Sequence, residues 1–309
     1  MNSAGKLHAF LASARIANVP SVVSNVWLGV AMGLVWSGGW AESISWQMVG
    51  VLLVAGILLY LSGNFLNDWM DREWDAKHRP ERALPRKLFT PYLYLALAIS
   101  LSAGGCIAAF SAGLGSGWFA VGIVCLIVIY TAFHKKRPWA VIPMGLCRGM
   151  LPMMGFLAFY PYLNIAWPAG CALFCYVMGL SLSARYESTA EPPKRVAVLA
   201  RGLLLAAALF AAWGNRGLYL AWLPCVMGAL PYLLWTSFSL RYCRTPVSKL
   251  VSRLLAGIPL VDFMILLPLG MTLAAQATSD SFIFIGLCFA VPLLAFFLSL
   301  ILQRLTPAT

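Results

Sequence analysis

Asn67, Asp68, Asp71 and Asp75 stand close together in the stretch Asn67-Asp68-Trp69-Met70-Asp71-Arg72-Glu73-Trp74-Asp75. It follows directly on an apolar run, Val49 to Leu66, of membrane-helix length. If the helix continues through the acids, Asn64, Asp68, Asp71 and Asp75 fall at i, i+4, i+7 and i+11 on one face. Carboxylates that close repel one another unless a hard cation or a strong cationic partner sits between them. Oxygen donors with no nearby Cys or paired His point to magnesium rather than zinc. The expectation is an Mg²⁺ site at a membrane surface, whose usual client is a phosphate ester.

A second, smaller acidic group follows at Glu187 and Glu191, spaced i, i+4, before Pro192 and Pro193 stop the helix. They are either solvated acids balancing Arg185, Lys194 and Arg195 or a second arm of the same site. Cations are placed to reverse the sign of the field for a bound diphosphate. They lie in the loop Lys77-His78-Arg79-Pro80-Glu81-Arg82-Ala83-Leu84-Pro85-Arg86-Lys87 and in His134-Lys135-Lys136-Arg137, just after Tyr130. Two ionisable groups sit inside apolar segments, Arg148 and Asp262. Both are expected to face the bundle interior, since a charge against lipid costs about 2.5–3.5 kcal/mol on insertion scales. Arg148 reads as a phosphate ligand or as a structural partner of Asp262 or another acid.

The elements that must hold these groups are transmembrane helices. The chain has 309 residues, 61% of them hydrophobic and 10% charged, with a mean hydropathy of +0.82. Ten apolar segments recur, roughly 16–36, 46–66, 90–112, 117–133, 139–160, 165–184, 196–213, 217–239, 256–277 and 281–302. Long unalternating apolar runs exclude a barrel and leave an all-α polytopic bundle, a single domain over 1–309. The formal charge of +12 gathers in alternate loops, with Arg216 the single cation of the other set. That is the positive-inside pattern for both termini on the cytoplasmic side, and it argues against a nucleic-acid partner. Segments two and six then end on the same face, bringing both acidic groups to one side of the membrane. The eight cysteines show no metal or disulfide spacing and read as small buried apolar residues. Segment one reads as a permanent span rather than a removable signal.

These motifs resemble the UbiA superfamily of membrane prenyltransferases. Arg15-Ile16-Ala17-Asn18-Val19-Pro20-Ser21-Val22 is similar to that family's first helix. Asn67-Asp68-x-x-Asp71-x-x-x-Asp75 matches its first aspartate motif, and Arg79-Pro80 with Arg82-Ala83-Leu84-Pro85 resembles the loop that follows. The second motif departs, supplying Glu187 and Glu191 in place of aspartates, and Tyr130-x-x-x-His134 precedes Lys135 where the family has Tyr-x-x-x-Lys. The departures resemble a divergent, EboC-like branch.

The resemblance implies a bundle of nine to ten transmembrane helices around a central cavity. It also implies Mg²⁺-dependent transfer of an isoprenoid from a polyprenyl diphosphate to a lipophilic acceptor. On that reading Asn67, Asp68, Asp71, Asp75, Glu187 and Glu191 hold metal, with Tyr130 beside the reacting carbon. Asn64, Asn67, Arg72, Arg79, His134, Lys135, Arg148 and Tyr186 bind substrate. The implied setting is a bacterial inner membrane, with the site open to the cytoplasmic face. A non-catalytic isoprenoid or metabolite binder, or a transporter of the same fold, is the alternative.

Overall fold

A computed structural model describes residues 3–41, 44–135, 137–186, 193–216, 222–243, 245–275 and 281–306. Its helices are α1 Ser3–Ser13, α2 Val19–Ser37, α3 Trp46–His78, α4 Pro91–Ala112, α5 Leu114–Phe133, α6 Val141–Phe156, α7 Trp167–Ala184, α8 Lys194–Gly214, α9 Trp222–Tyr242, α10 Val247–Ala256, α11 Ile258–Ala274 and α12 Phe282–Leu305. No strand occurs among the described residues. Among the described residues, nine helical spans are long and apolar enough to cross a membrane, α10 and α11 counting as one. The protein is thus an integral multi-pass membrane protein. Each of the ten apolar segments is represented by a helix, but the fifth, α6, has only 16 residues and carries Pro152. At 1.5 Å per residue it covers about 24 Å, short of the ~30 Å hydrocarbon core.

α3 has the opposite excess. Ser45 caps its start by accepting from the Met48 amide, and the helix then runs unbroken for 33 residues, about 50 Å. The surplus turns carry Asn67 to Asp75 beyond a bilayer's thickness while keeping them in helical register. Arg79 ends the helix, immediately before Pro80, whose ring disfavours helix in the residue it follows.

α2 sits at the centre and touches α3, α6, α11 and α12. Lipid is as apolar as leucine, so membrane helices associate largely by close approach of small residues. α2 and α6 show this directly. A Cβ added at Gly29 would stand 1.9 Å from the Pro152 carbonyl oxygen, and one at Gly155 2.6 Å from the Val26 carbonyl. That contact sets Asn25 of α2 beside Arg148 of α6. At the other end of the bundle's sequence, His8 Nε2 lies 3.0 Å from the Leu305 carbonyl oxygen, so α1 and the end of α12 share one face. All eight cysteines are free; three are buried, four half-buried, and Cys125 is exposed on the outer surface.

Candidate active site

The helix does continue through the acids. Asn64, Asn67, Asp68, Asp71 and Asp75 are all buried on one face of α3. Their charge is met by cations from three directions. Arg82, in the loop after α3, places Nη1 2.8 Å from Asp75 Oδ2 and 3.5 Å from Asp68 Oδ1. Beyond α5, His134 Nε2 lies 3.1 Å and Lys135 Nζ 3.4 Å from Asp71 Oδ2. Lys135 also stands 3.7 Å over the Trp74 ring. Burial lowers its pKa, an effect that Asp71 and Asp75 offset only in part.

The third direction is that of Arg15, which composition and spacing mark only as a topological charge. Its Nη2 is 3.6 Å from Asp68 Oδ1, and its Nη1 donates to Asn64 Oδ1 at 3.2 Å. Burial opposes charge on this guanidinium, but Asp68, with Tyr60, Tyr130 and Asp71 behind it, outweighs burial and raises its pKa. Arg15 occupies the left-handed region, φ 48 and ψ 49, where a side chain other than glycine's is strained. Two side chains of α3 hold it there. Tyr60 donates to the Arg15 carbonyl at 3.1 Å, and Asn64 Nδ2 donates to the Ala14 carbonyl at 2.9 Å. Asn64 is thus spent on fixing the junction between α1 and α2.

Arg72, on the shoulder of the acid face, turns away: it donates to the Trp69 carbonyl at 2.8 Å and to Glu73 at 3.3 Å. Arg79 is half-buried at the end of α3, its amide bonded to the Asp75 carbonyl at 2.8 Å. Tyr130 stacks on His134 at 4.9 Å between centroids. Tyr186 lies half-buried just past α7. Glu187 and Glu191 lie outside the described residues, but their neighbour Arg185 donates to the His134 carbonyl at 3.0 Å. The end of α7 therefore reaches the turn whose imidazole faces Asp71.

Arg15 and Asn67 border a cavity that runs inward between α3, α5 and α6, past Tyr60, Tyr130 and Ile127 to Leu59, Leu151 and Arg148. Arg148 does not join the acids. It is buried, donates to Asn25 Oδ1 at 3.0 Å, and lies 5.4 Å over the Tyr60 ring. Asn25 in turn donates to Asp262 Oδ2 at 2.8 Å, so the pairing between Arg148 and Asp262 runs through an amide.

The donor set suits Mg²⁺. Asn67 Oδ1 and Asp75 Oδ1 are buried without a hydrogen-bond partner in the described structure, which leaves two hard oxygens beside the carboxylates. Among the described residues no three His, Cys, Asp or Glu side chains converge as a complete metal cage. Mg²⁺ rarely needs one; it takes one or two carboxylates and fills its octahedron with water and substrate phosphate.

A sequence model of the UbiA prenyltransferase family matches residues 25–240. The bacteriochlorophyll synthase 34 kDa chain of Chloroflexus aurantiacus is 30% identical over 146 residues, 47% of this chain and 43% of that protein. A digeranylgeranylglyceryl phosphate synthase of Methanothrix thermoacetophila is 30% identical over 131 residues, 42% of this chain and 48% of that protein. The matches thus span less than half the length of these relatives. Among solved structures, a UbiA homologue of Archaeoglobus fulgidus bound to GPP and Mg²⁺ superposes with a TM-score of 0.51 at 12% identity, over 96% of this chain and 99% of that one. A structure of digeranylgeranylglyceryl phosphate synthase gives 0.52 at 16% identity, over 94% and 97%. At those identities the structures establish a shared fold.

Proposed function

The chain belongs to the UbiA prenyltransferase family, and from that premise we propose that it moves a prenyl group from a polyprenyl diphosphate to a lipophilic acceptor within the membrane. The carrying observation is the junction of two unlike environments. A carboxylate face ringed by Arg15, Arg82, Lys135 and His134 opens into an apolar cavity lined by Leu59, Ile123, Ile127 and Leu151. A polyprenyl diphosphate has that same division between an anionic head and a hydrocarbon tail.

Asp68, Asp71, Asp75 and Asn67, with Glu187 and Glu191 from the second motif, are the residues proposed to hold Mg²⁺. When bound, the ion supplies positive charge against the diphosphate as it departs. Arg15, Arg82 and Lys135 neutralise the same oxygens, and they do so through groups already fixed in place. As the bond from carbon to oxygen breaks, electron density leaves with the diphosphate and the allylic carbon becomes cationic. Tyr130 and Tyr60 line the cavity just inward of Asn67, and their rings stabilise that cation. The aliphatic walls keep water from capturing it before the acceptor does. We place this site on the cytoplasmic face, where the positive-inside pattern puts the end of α3.

The test is transfer itself. Membranes containing the protein are supplied with labelled farnesyl or geranylgeranyl diphosphate and a native lipid extract, and the label is followed by chromatography. A labelled lipid that forms with Mg²⁺ and is absent in Asp71→Asn/Asp75→Asn supports the reading. Donor bound without any labelled product across both chain lengths favours a binder of the same fold instead.

A further inference from the structure

We infer that the outer surface of α9, α11 and α12 holds an anionic phospholipid, with one acyl chain in an apolar groove and its phosphate on Arg253 and Arg304. The groove lies apart from the carboxylate face and its cavity, so the inference does not depend on the prenyl-transfer reading. Leu234, Trp235 and Phe238 of α9 form one wall, Phe296 and Phe297 of α12 the other, and Leu260 of α11 the floor. Trp235 and Phe296 meet edge to face at 4.9 Å between centroids. Leu234, Phe238 and Phe297 are exposed at the rim, so the groove opens sideways, which in a membrane means onto lipid.

One end of this groove is charged. The buried residues of α10, Val247, Leu250, Val251 and Leu254, share one side of that helix, which leaves Lys249 and Arg253, at i and i+4, on the other. Trp235 Nε1 donates to the Arg253 carbonyl at 2.9 Å, and the Arg253 guanidinium lies 5.4 Å over the Trp235 ring. Gln303 Nε2 donates to the Ser252 carbonyl at 3.0 Å and so sets the end of α12 beside the same turn. Arg304 follows at i+7 from Phe297 and i+11 from Leu293, on the groove face of α12. Seven residues of helix are about 10 Å, which carries this cation just beyond the apolar walls.

Among the described residues no carboxylate pairs with Lys249, Arg253 or Arg304. After residue 193 the sequence holds two acids, Asp262 and Asp280. Asp262 is fully buried against Ser24 and Asn25, and Asp280 stands before the start of α12, whereas Arg304 is at its end. The positive-inside pattern asks only that a loop be basic; it does not ask that Arg253 lie over the wall of a groove. Basic pockets between membrane helices take anionic headgroups, and arginine's planar fork matches phosphate oxygens. A zwitterionic headgroup brings an ammonium of its own, which these cations disfavour. A helix from another protein would cover the groove and leave the cations unmatched, so charge complementarity selects the lipid.

The experiment is native mass spectrometry of the purified full chain, titrated separately with phosphatidylglycerol and phosphatidylcholine carrying the same palmitoyl and oleoyl chains. The wild type should bind phosphatidylglycerol roughly 25-fold more tightly, about fivefold for each of the two arginines. Arg253→Gln/Arg304→Gln should cut that preference to about fivefold or less and keep its affinity for phosphatidylcholine, which also shows that it is folded. Lys194→Gln/Arg195→Gln removes the same charge from the start of α8 and should leave the preference within about twofold, because screened charges act over a short range. Leu293→Trp fills the groove and should weaken both lipids. Equal affinities in the wild type, an equal fall in the α8 variant, or unchanged binding in Leu293→Trp overturns the assignment. If Arg253→Gln/Arg304→Gln does not fold, Arg304→Gln alone decides: its exposed side chain can be replaced without disturbing the core, and an unchanged preference overturns the headgroup contact. An excess of glycerol phosphate should not displace the lipid. Displacement would mean a phosphate site without a chain, and a dimer that Leu293→Trp abolishes would mean a second copy in the groove; either result overturns the proposal.

Discussion

Replacing Arg15 by Gln removes a charge that faces the acids from outside α3 while keeping a polar side chain of similar reach. Arg15 stands 3.6 Å from Asp68, which in an effective dielectric of 20 is a gross attraction of roughly 4.6 kcal/mol. Desolvation cancels much of that. Removing one partner of a buried pair costs about 3–5 kcal/mol, but Arg82 remains 3.5 Å from the same oxygen. The stability loss should therefore fall below that range, near 1–2 kcal/mol. The effect on donor use should be larger in proportion. A charge-assisted hydrogen bond to phosphate is worth about 1.5–3 kcal/mol, or roughly 10- to 100-fold in kcat/KM. Tyr60→Phe makes the companion variant. It leaves the guanidinium but deletes the bond to the Arg15 carbonyl that supports its left-handed backbone. It should lower kcat/KM by less, about 3- to 10-fold, by misplacing the charge rather than removing it. Both are read as diphosphate release at low donor concentration, with thermal unfolding measured alongside. Arg15→Gln within twofold of wild type, on a protein that is folded, would refute the assignment of Arg15 to the site.

The loop and shoulder cations should separate cleanly. Arg82→Ala should raise the donor KM about 10-fold or more, whereas Arg72→Ala should leave transfer within about twofold, because its guanidinium faces Trp69 and Glu73. Steady-state kinetics on the two variants check this pair. Lys135→Ala should weaken Mg²⁺-diphosphate binding about 10-fold in a titration, since it deletes a cation 3.4 Å from Asp71. Gly29→Ala should cost about 1–3 kcal/mol or more, because its Cβ meets the Pro152 carbonyl across the α2–α6 contact. Thermal unfolding in detergent should show a lowered midpoint, and Gly50→Ala, where an added Cβ meets nothing within 4 Å, serves as the control.

What was legible in the sequence was whatever a single helical period determines. The register of Asn64, Asp68, Asp71 and Asp75 needed only 3.6 residues per turn, and burial of Arg148 and Asp262 needed only the cost of charge in lipid. Partners set by the path of the chain between helices were not legible. Arg15 reaches Asp68 because a left-handed residue turns α1 into α2, a conformation that no spacing announces. Arg82 meets Asp68 and Asp75 because the proline-bearing loop folds back over α3. Arg72 was misleading for a different reason: one residue beyond Asp71, it sits on the edge of the acid face, and packing against Trp69 decides where it turns. The fifth apolar segment reads as a full span by hydropathy, yet its helix ends at Phe156, before the turn at Leu157–Tyr160.

The most direct measurement is single-turnover release of diphosphate from labelled geranylgeranyl diphosphate by the purified protein with native lipid extract, with and without Mg²⁺. Close to one diphosphate should be released per active protein molecule, dependent on Mg²⁺ and absent in Asp71→Asn/Asp75→Asn. Tight, saturable binding of the donor with no release at any Mg²⁺ concentration would contradict it.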